Sequence, residues 1–196
     1  PNMVIAQPRN GQVLKELLES VWDWGKPTAI RYPNLETEDS DLPLQKRPLG
    51  KAELLVEGKN ILIIALGHQC DTALSVRELL QKNSLDATVV DPIFLKPFDT
   101  EFFNRLLLTH SFVVTIEEHA VNSGLGMIFN SFLVQNGWKE VEVLNFGVPD
   151  RFVQFGSHKE LIKEIGLDAE SITSRILQEV DHVDCALSAR KEKAFL

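Results

Sequence analysis

The sequence predicts an α/β protein with a mostly parallel sheet covered by helices on both faces, and three observations carry that prediction. Short apolar runs alternate with amphipathic stretches through residues 50–180, as βαβ units require. One run, ILIIAL at 61–66, is apolar throughout, the pattern of a strand buried on both sides. Glycine, proline and asparagine punctuate these runs at the junctions.

In chain order, MVIAQP (residues 3–8) reads as a short buried strand closed by Pro8. Asn10 is placed to cap the next helix, in which Val13, Leu14, Leu17, Leu18, Val21 and Trp22 recur at helical spacing. Gly25 ends that helix and TAIRY (28–32) is a second strand. This strand–helix–strand unit is too small to bury both its faces. With the abrupt PNMVI opening, it predicts a cut end, a piece of a longer protein. It also predicts an unpaired sheet edge near residues 3–7. Residues 34–48 carry Glu36, Glu38, Asp39 and Asp41 with two prolines and little periodicity, which reads as an interdomain linker.

From Gly50, KAELLVEG and NILIIALG are two strands joined at Gly58-Lys59-Asn60. DTALSVRELLQK is an amphipathic helix, with Asp71 or Thr72 as its cap candidate. DATVVDPIFL is a strand interrupted by Pro92, and Pro97-Phe98-Asp99 leads into the helix TEFFNRLLLT. SFVVTIEEH (111–119) is the next strand, and Ser123-Gly124-Leu125-Gly126 opens another helix. VEVLNFGVP is the final strand, followed by two helices over 157–166 and 168–180.

Composition narrows the function classes. A net charge of −8 argues against a phosphate-reading nucleic-acid face. No apolar run is long enough to span a bilayer, and no secretory signal is visible. Cys70 and Cys185 lie far apart without metal-type spacing, which fits a reducing, cytoplasmic setting.

Several motifs admit both a functional and a plainer structural role. Arg31 stands where an apolar strand stops at Pro33, a position suited to touching a ligand but equally natural for a solvated arginine. The glycines of NSGLG could cradle a phosphate at a helix start, or simply form a tight turn. Glu117, Glu118 and His119 fall at a strand's C-terminal end, where α/β ligand sites lie. Successive strand residues point to opposite faces, so Glu117 and Glu118 cannot share one ligand without a bulge; one of them is expected to hold the glycine turn or a neighbouring domain. The histidines at 68, 110, 119, 158 and 182 show no ligand spacing, and no metal ligand is expected among them.

Taken in order, PNMVIAQP, AIRYP, VDPIFLKPFD, IEEHAVNSGLG, LNFGVPDRFVQFG and IGLDAESI resemble the C-terminal third of the 1-deoxy-D-xylulose-5-phosphate synthases. These are thiamine-diphosphate-dependent members of the transketolase superfamily. The resemblance runs from Pro1 to about residue 180. It implies that residues 1–33 are the tail of the pyrimidine-binding domain and 34–48 a linker. Residues 49–180 would be a transketolase C-terminal-type α/β/α sandwich, with 181–196 a tail. The family joins pyruvate to D-glyceraldehyde 3-phosphate with loss of carbon dioxide, for isoprenoid and thiamine biosynthesis, and works as a homodimer with thiamine diphosphate and Mg2+. By resemblance, Arg31 of the RYP motif binds the substrate phosphate, which a guanidinium fork suits. The diphosphate-and-magnesium motif of the family is absent from this sequence, so no cofactor and no catalytic residue are expected on it, and the chain alone is expected to be inactive. The sequence departs from the family pattern at Asn34-Leu35, at His119 and in a glycine-poorer turn. Other superfamily members, transketolase or the β subunit of a 2-oxoacid dehydrogenase, share the fold; a freestanding interaction module is the reading outside the enzymes.

Overall fold

A computed structural model describes residues 1–37 and 42–180. The tail assigned to 181–196, with His182 and Cys185, lies outside the described residues.

Two sheets make up the fold. The larger has five strands: β3 (Glu53–Val56), β4 (Ile61–Ala65), β5 (Ala87–Asp91), β7 (Phe112–Ala120) and β8 (Glu142–Val148). Their spatial order is β3-β5-β4-β7-β8, parallel throughout except for β3 against β5. The two strands flanking Gly58-Lys59-Asn60 are therefore not neighbours, because β5 inserts between them. Side-chain alternation along β4 feeds two cores. Ile61 and Ile63 pack with Val76 and Leu80 of helix α2 (Gln69–Gln81) and with Ile172 and Ile176 of a helix over 169–180. Leu62 and Ile64 face Phe103 of α3 (Thr100–Leu106) and Phe129, Phe132 and Leu133 of α4 (Leu125–Asn136). All four β4 side chains are buried, which is why the run is apolar without alternation.

The smaller sheet has the order β2-β1-β6, from β1 (Val4–Ala6), β2 (Thr28–Ile30) and β6 (Phe94–Lys96). Strand β1 pairs parallel with β2 and antiparallel with β6. The unpaired edge expected near residues 3–7 is thus corrected: β1 is the central strand. Its third partner comes from beyond Pro92, where the chain leaves the large sheet and enters the small one. Proline supplies no ladder donor, so β5 stops there. Ile93 turns the corner with φ 55°, a left-handed conformation unusual for a β-branched residue. Its amide donates to Asp91 Oδ1 at 2.9 Å, and its carbonyl accepts from the Gln7 amide at 2.8 Å.

Helix α1 (Gly11–Trp24) is capped by Asn10, whose Oδ1 accepts from the Val13 amide at 3.0 Å, and ends at Gly25 with φ 56°. Its apolar stripe is only partly buried. Val13 and Leu17 enter a core with Val4, Ala6, Ile93 and Phe94, but Leu18 and Trp22 are 52% and 84% exposed. Glu16 and Ser20 are buried in their place because they hold Arg47. The Arg47 guanidinium donates to Glu16 at 2.7 Å, and the Arg47 amide donates to Ser20 Oγ at 2.7 Å.

One charged network bolts the two sheets together. Arg9, just after β1, donates to Glu53 Oε1 at 2.9 Å and to Asp91 Oδ2 at 2.9 Å, and Arg47 also donates to Glu53. Burial pushes the Asp91 carboxyl up to about 6, so at neutral pH it is ionised against Arg9. Burial opposes charge on Glu53 as well, but its two arginines outweigh it and hold its carboxyl below the usual range.

Candidate functional site

The C-terminal ends of β2, β4 and β7 converge beside α5 (His158–Glu164), the edge at which open α/β sheets carry their sites. Here Arg31, His68, Glu118 and His158 line a cavity of about 300 Å3 together with Gln7, Tyr32 and Pro33.

Arg31 continues the β2 ladder by one residue, its amide donating to the Ala6 carbonyl at 2.9 Å. Its guanidinium donates from Nη1 to Gln7 Oε1 at 3.3 Å and from Nη2 to the Glu118 carbonyl at 2.7 Å. Gln7 is itself 2% exposed. It fits because Gly67, at φ 65°, has no side chain: a Cβ there would stand 2.4 Å from Gln7 Nε2. A buried glutamine thus fixes an exposed arginine, leaving its remaining N–H donors for the cavity.

Glu117 and Glu118 diverge despite the register shift between Ile116 and Ala120 of β7. Glu117 turns inward, where Oε2 accepts from the Leu125 amide at 2.7 Å and Oε1 from the Gly126 amide at 2.9 Å. A Cβ on Gly124 would sit 1.7 Å from Glu117 Oε2, so the glycine of the NSGLG turn makes room for this carboxylate. Burial raises the Glu117 carboxyl even though both amides favour its charge. The amides that a bound phosphate would need at the start of α4 are therefore held by the protein's own carboxylate, which removes the phosphate-cradle reading of NSGLG.

Glu118 turns to the cavity. Its Oε2 lies 2.5 Å from His68 Nε2 and 2.9 Å from His158 Nε2. Burial works against its charge, but the two imidazoles outweigh burial and hold the carboxyl down at about 2. His119, by contrast, is exposed and lies outside that cluster, its Nδ1 3.4 Å from the Ala120 carbonyl. Asp71 is not the cap of α2, which begins at Gln69 with His68 at the N-cap; Asp71 sits in the first turn, where its charge suits the helix dipole. Cys70 is a buried core group whose thiol donates to the Ala65 carbonyl at 3.1 Å, and burial pushes its pKa up.

Sequence reasoning singles out Arg31, and Glu118 together with Glu117 and His119, but does not place Gln7, His68 or His158 beside them. His68 stands three residues past the end of β4, a strand-end position that could have flagged it. His158 carries no such signal. A larger cavity of about 830 Å3 borders α1, but the arginines on its wall, Arg9 and Arg47, are already bound to acids.

The comparisons with known proteins agree with this architecture. The family profile described as "Transketolase, C-terminal domain" matches residues 50–172, and the chain belongs to that family. Within it, the chain is similar to curated 1-deoxy-D-xylulose-5-phosphate synthases: it is 48% identical over 182 residues to the one from Chlamydia felis (strain Fe/C-56) and to the one from Chlamydia pneumoniae. Each match covers 90% of this chain but 28% of the relative, so the chain spans little more than a quarter of their length. Among solved structures, one titled "Split gene transketolase, inactive beta4 tetramer" superposes with a TM-score of 0.82 at 28% identity, covering 91% of this chain and 58% of that one. A transketolase R525L mutant from Pichia stipitis matches with a TM-score of 0.67 at 20% identity, over 93% of this chain and 26% of that one, a likeness of fold.

Proposed function

We propose that this chain is the C-terminal part of a 1-deoxy-D-xylulose-5-phosphate synthase, and that Arg31 binds the phosphate of D-glyceraldehyde 3-phosphate as it condenses with pyruvate. The observation that carries the reading is the setting of Arg31: a guanidinium fixed by Gln7 and the Glu118 carbonyl, with donors left for a cavity at the strand ends. A phosphate dianion takes charge-assisted hydrogen bonds from such a fork more strongly than from a neutral donor. The 46–48% identity to named synthases, against 28% to the split transketolase, favours this member of the superfamily.

The rest of the reading follows the family. Residues 1–33 are the end of the pyrimidine-binding domain, 34–48 a linker and 49–180 the C-terminal domain of a cytoplasmic homodimer serving isoprenoid and thiamine biosynthesis. The exposed Leu18–Trp22 flank of α1 supports a place in a larger enzyme, whose other parts would cover it. Thiamine diphosphate supplies the electron sink for decarboxylation. Among the described residues, the amides opening α4 are bound to Glu117 and so are not free for its diphosphate. The role of this chain is to hold the aldehyde's phosphate, and by itself it does not turn over.

The test is discrimination between D-glyceraldehyde 3-phosphate and unphosphorylated D-glyceraldehyde in the full-length enzyme. Arg31→Met should lower kcat/KM for the phosphorylated aldehyde by about 10- to 150-fold, the worth of a hydrogen bond to a charged group, and leave the unphosphorylated one nearly unchanged. Equal losses for both substrates would remove the phosphate assignment.

A further inference from the structure

We propose that His68, Glu118 and His158 form a binding site for a divalent transition-metal ion of the zinc class. The three residues come from three separate segments: the loop after β4, the end of β7 and the first residue of α5. Their ligating atoms nevertheless all lie within 4.8 Å of one another. Both imidazoles present Nε2 to the same carboxylate oxygen, at 2.5 and 2.9 Å.

The donor set decides the class of ion. Two imidazole nitrogens and one carboxylate oxygen suit Zn2+ and its neighbours, whereas Mg2+ and Ca2+ prefer all-oxygen shells. Zinc bonds to these donors are roughly 2.0–2.2 Å long, which at tetrahedral angles places ligand atoms roughly 3.3 Å apart. The two carboxylate–imidazole distances are shorter than that, while the ligand atoms as a set lie within 4.8 Å of one another. The opening needed is under an ångström. His158 can supply it, since its side chain is 44% exposed on a surface helix, while His68 and Glu118 are held at 18% and 24%.

Three protein ligands leave one position of a tetrahedron free. That position faces the cavity that Arg31 also lines, with room for water or an anionic oxygen. The bound ion would tie the start of α5 to the sheet. Metal binding does not depend on the phosphate role of Arg31, and the two are measured separately.

The experiment is a Co2+ titration of the chelator-treated 196-residue chain, read by visible d–d absorption, with Zn2+ competition and thermal unfolding alongside. We expect visible bands saturating at one equivalent with a Kd in the micromolar range or tighter, loss of the bands on adding Zn2+, and a Tm raised by Zn2+. His158→Ala and Glu118→Gln should each weaken binding at least about tenfold, with circular dichroism unchanged for the exposed His158→Ala variant. His119→Ala, one residue away and outside the cluster, should bind as the parent does. Absence of d–d bands at saturating Co2+, or a Kd unchanged by His158→Ala, would overturn the proposal and reduce the cluster to an ion pair.

Discussion

Two clusters of charge in this molecule use the same residue types to opposite ends. Around Arg9, every charged group is answered from within: Arg9 meets Glu53 and Asp91, and Arg47 meets Glu53 and Glu16. Asp91 is fully buried there, and the network joins strands from both sheets. Around Arg31, the guanidinium is held by a glutamine and a backbone carbonyl, and Glu118 is shared by two imidazoles at the wall of a cavity. The first cluster is closed and structural. The second is open, which is what a binding site requires. The difference lies in how completely each charge is matched from within, since a cavity borders both clusters.

The comparison breaks most visibly at Arg9. Removing it leaves Asp91 charged and buried without its partner, which should cost about 3–5 kcal/mol near neutral pH, measured by urea unfolding of Arg9→Ala. The cost should depend on pH in a definite direction. Asp91 has its pKa raised from 3.8 to about 6 in the folded protein, so its own contribution to stability is fully present below 3.8 and lost as pH rises through about 6. The Arg9→Ala penalty should therefore be largest above pH 6 and shrink as Asp91 takes up a proton toward pH 4.

Next in size is Glu117. Glu117→Ala strands the Leu125 and Gly126 amides, which should cost about 2–4 kcal/mol in the same unfolding measurement. A loss below about 1 kcal/mol would mean that water replaces the carboxylate and that the NSGLG turn is open to an anion after all.

How much of this contrast the sequence made legible depends on the range of the signal. ILIIAL announced a strand buried on both faces, and the five-stranded sheet shows why, with helices packed on either side. Alternation along a strand is enough to separate Glu117 from Glu118, and β7 places them on opposite sides. Pro92 marked a break, but not that the chain would cross into a second sheet and pair with β1, because that depends on a partner some ninety residues away. The apolar stripe on α1 is narrower than helical spacing alone implies, since Glu16 and Ser20 are buried by contacts to Arg47, a residue between α1 and β3. His68 and His158 meet at Glu118 across sequence separations of 50 and 40 residues, and no local spacing encodes that.

A finer contrast concerns acid stability. Glu53 and Glu16 have carboxyls below the ordinary 4.5, so their stabilising effect is present above that pH and lost as pH falls below it. Glu53→Gln should flatten the acid limb of the stability profile below pH 4.5, where unmodified protein loses stability as these groups protonate. The smallest effect is expected at the open cluster. His158→Ala should change unfolding free energy by no more than about 1 kcal/mol, because the pair it breaks is solvent-exposed at the surface.

The most direct test of the phosphate role proposed for Arg31 is a paired measurement on Arg31→Met in the full-length enzyme, taking unfolding free energy together with KM for each proposed substrate. The account predicts stability within about 1 kcal/mol of the parent, a KM for D-glyceraldehyde 3-phosphate raised at least about tenfold, and an unchanged KM for pyruvate. Lost stability with both KM values unchanged would contradict it and make Arg31 a second Arg9.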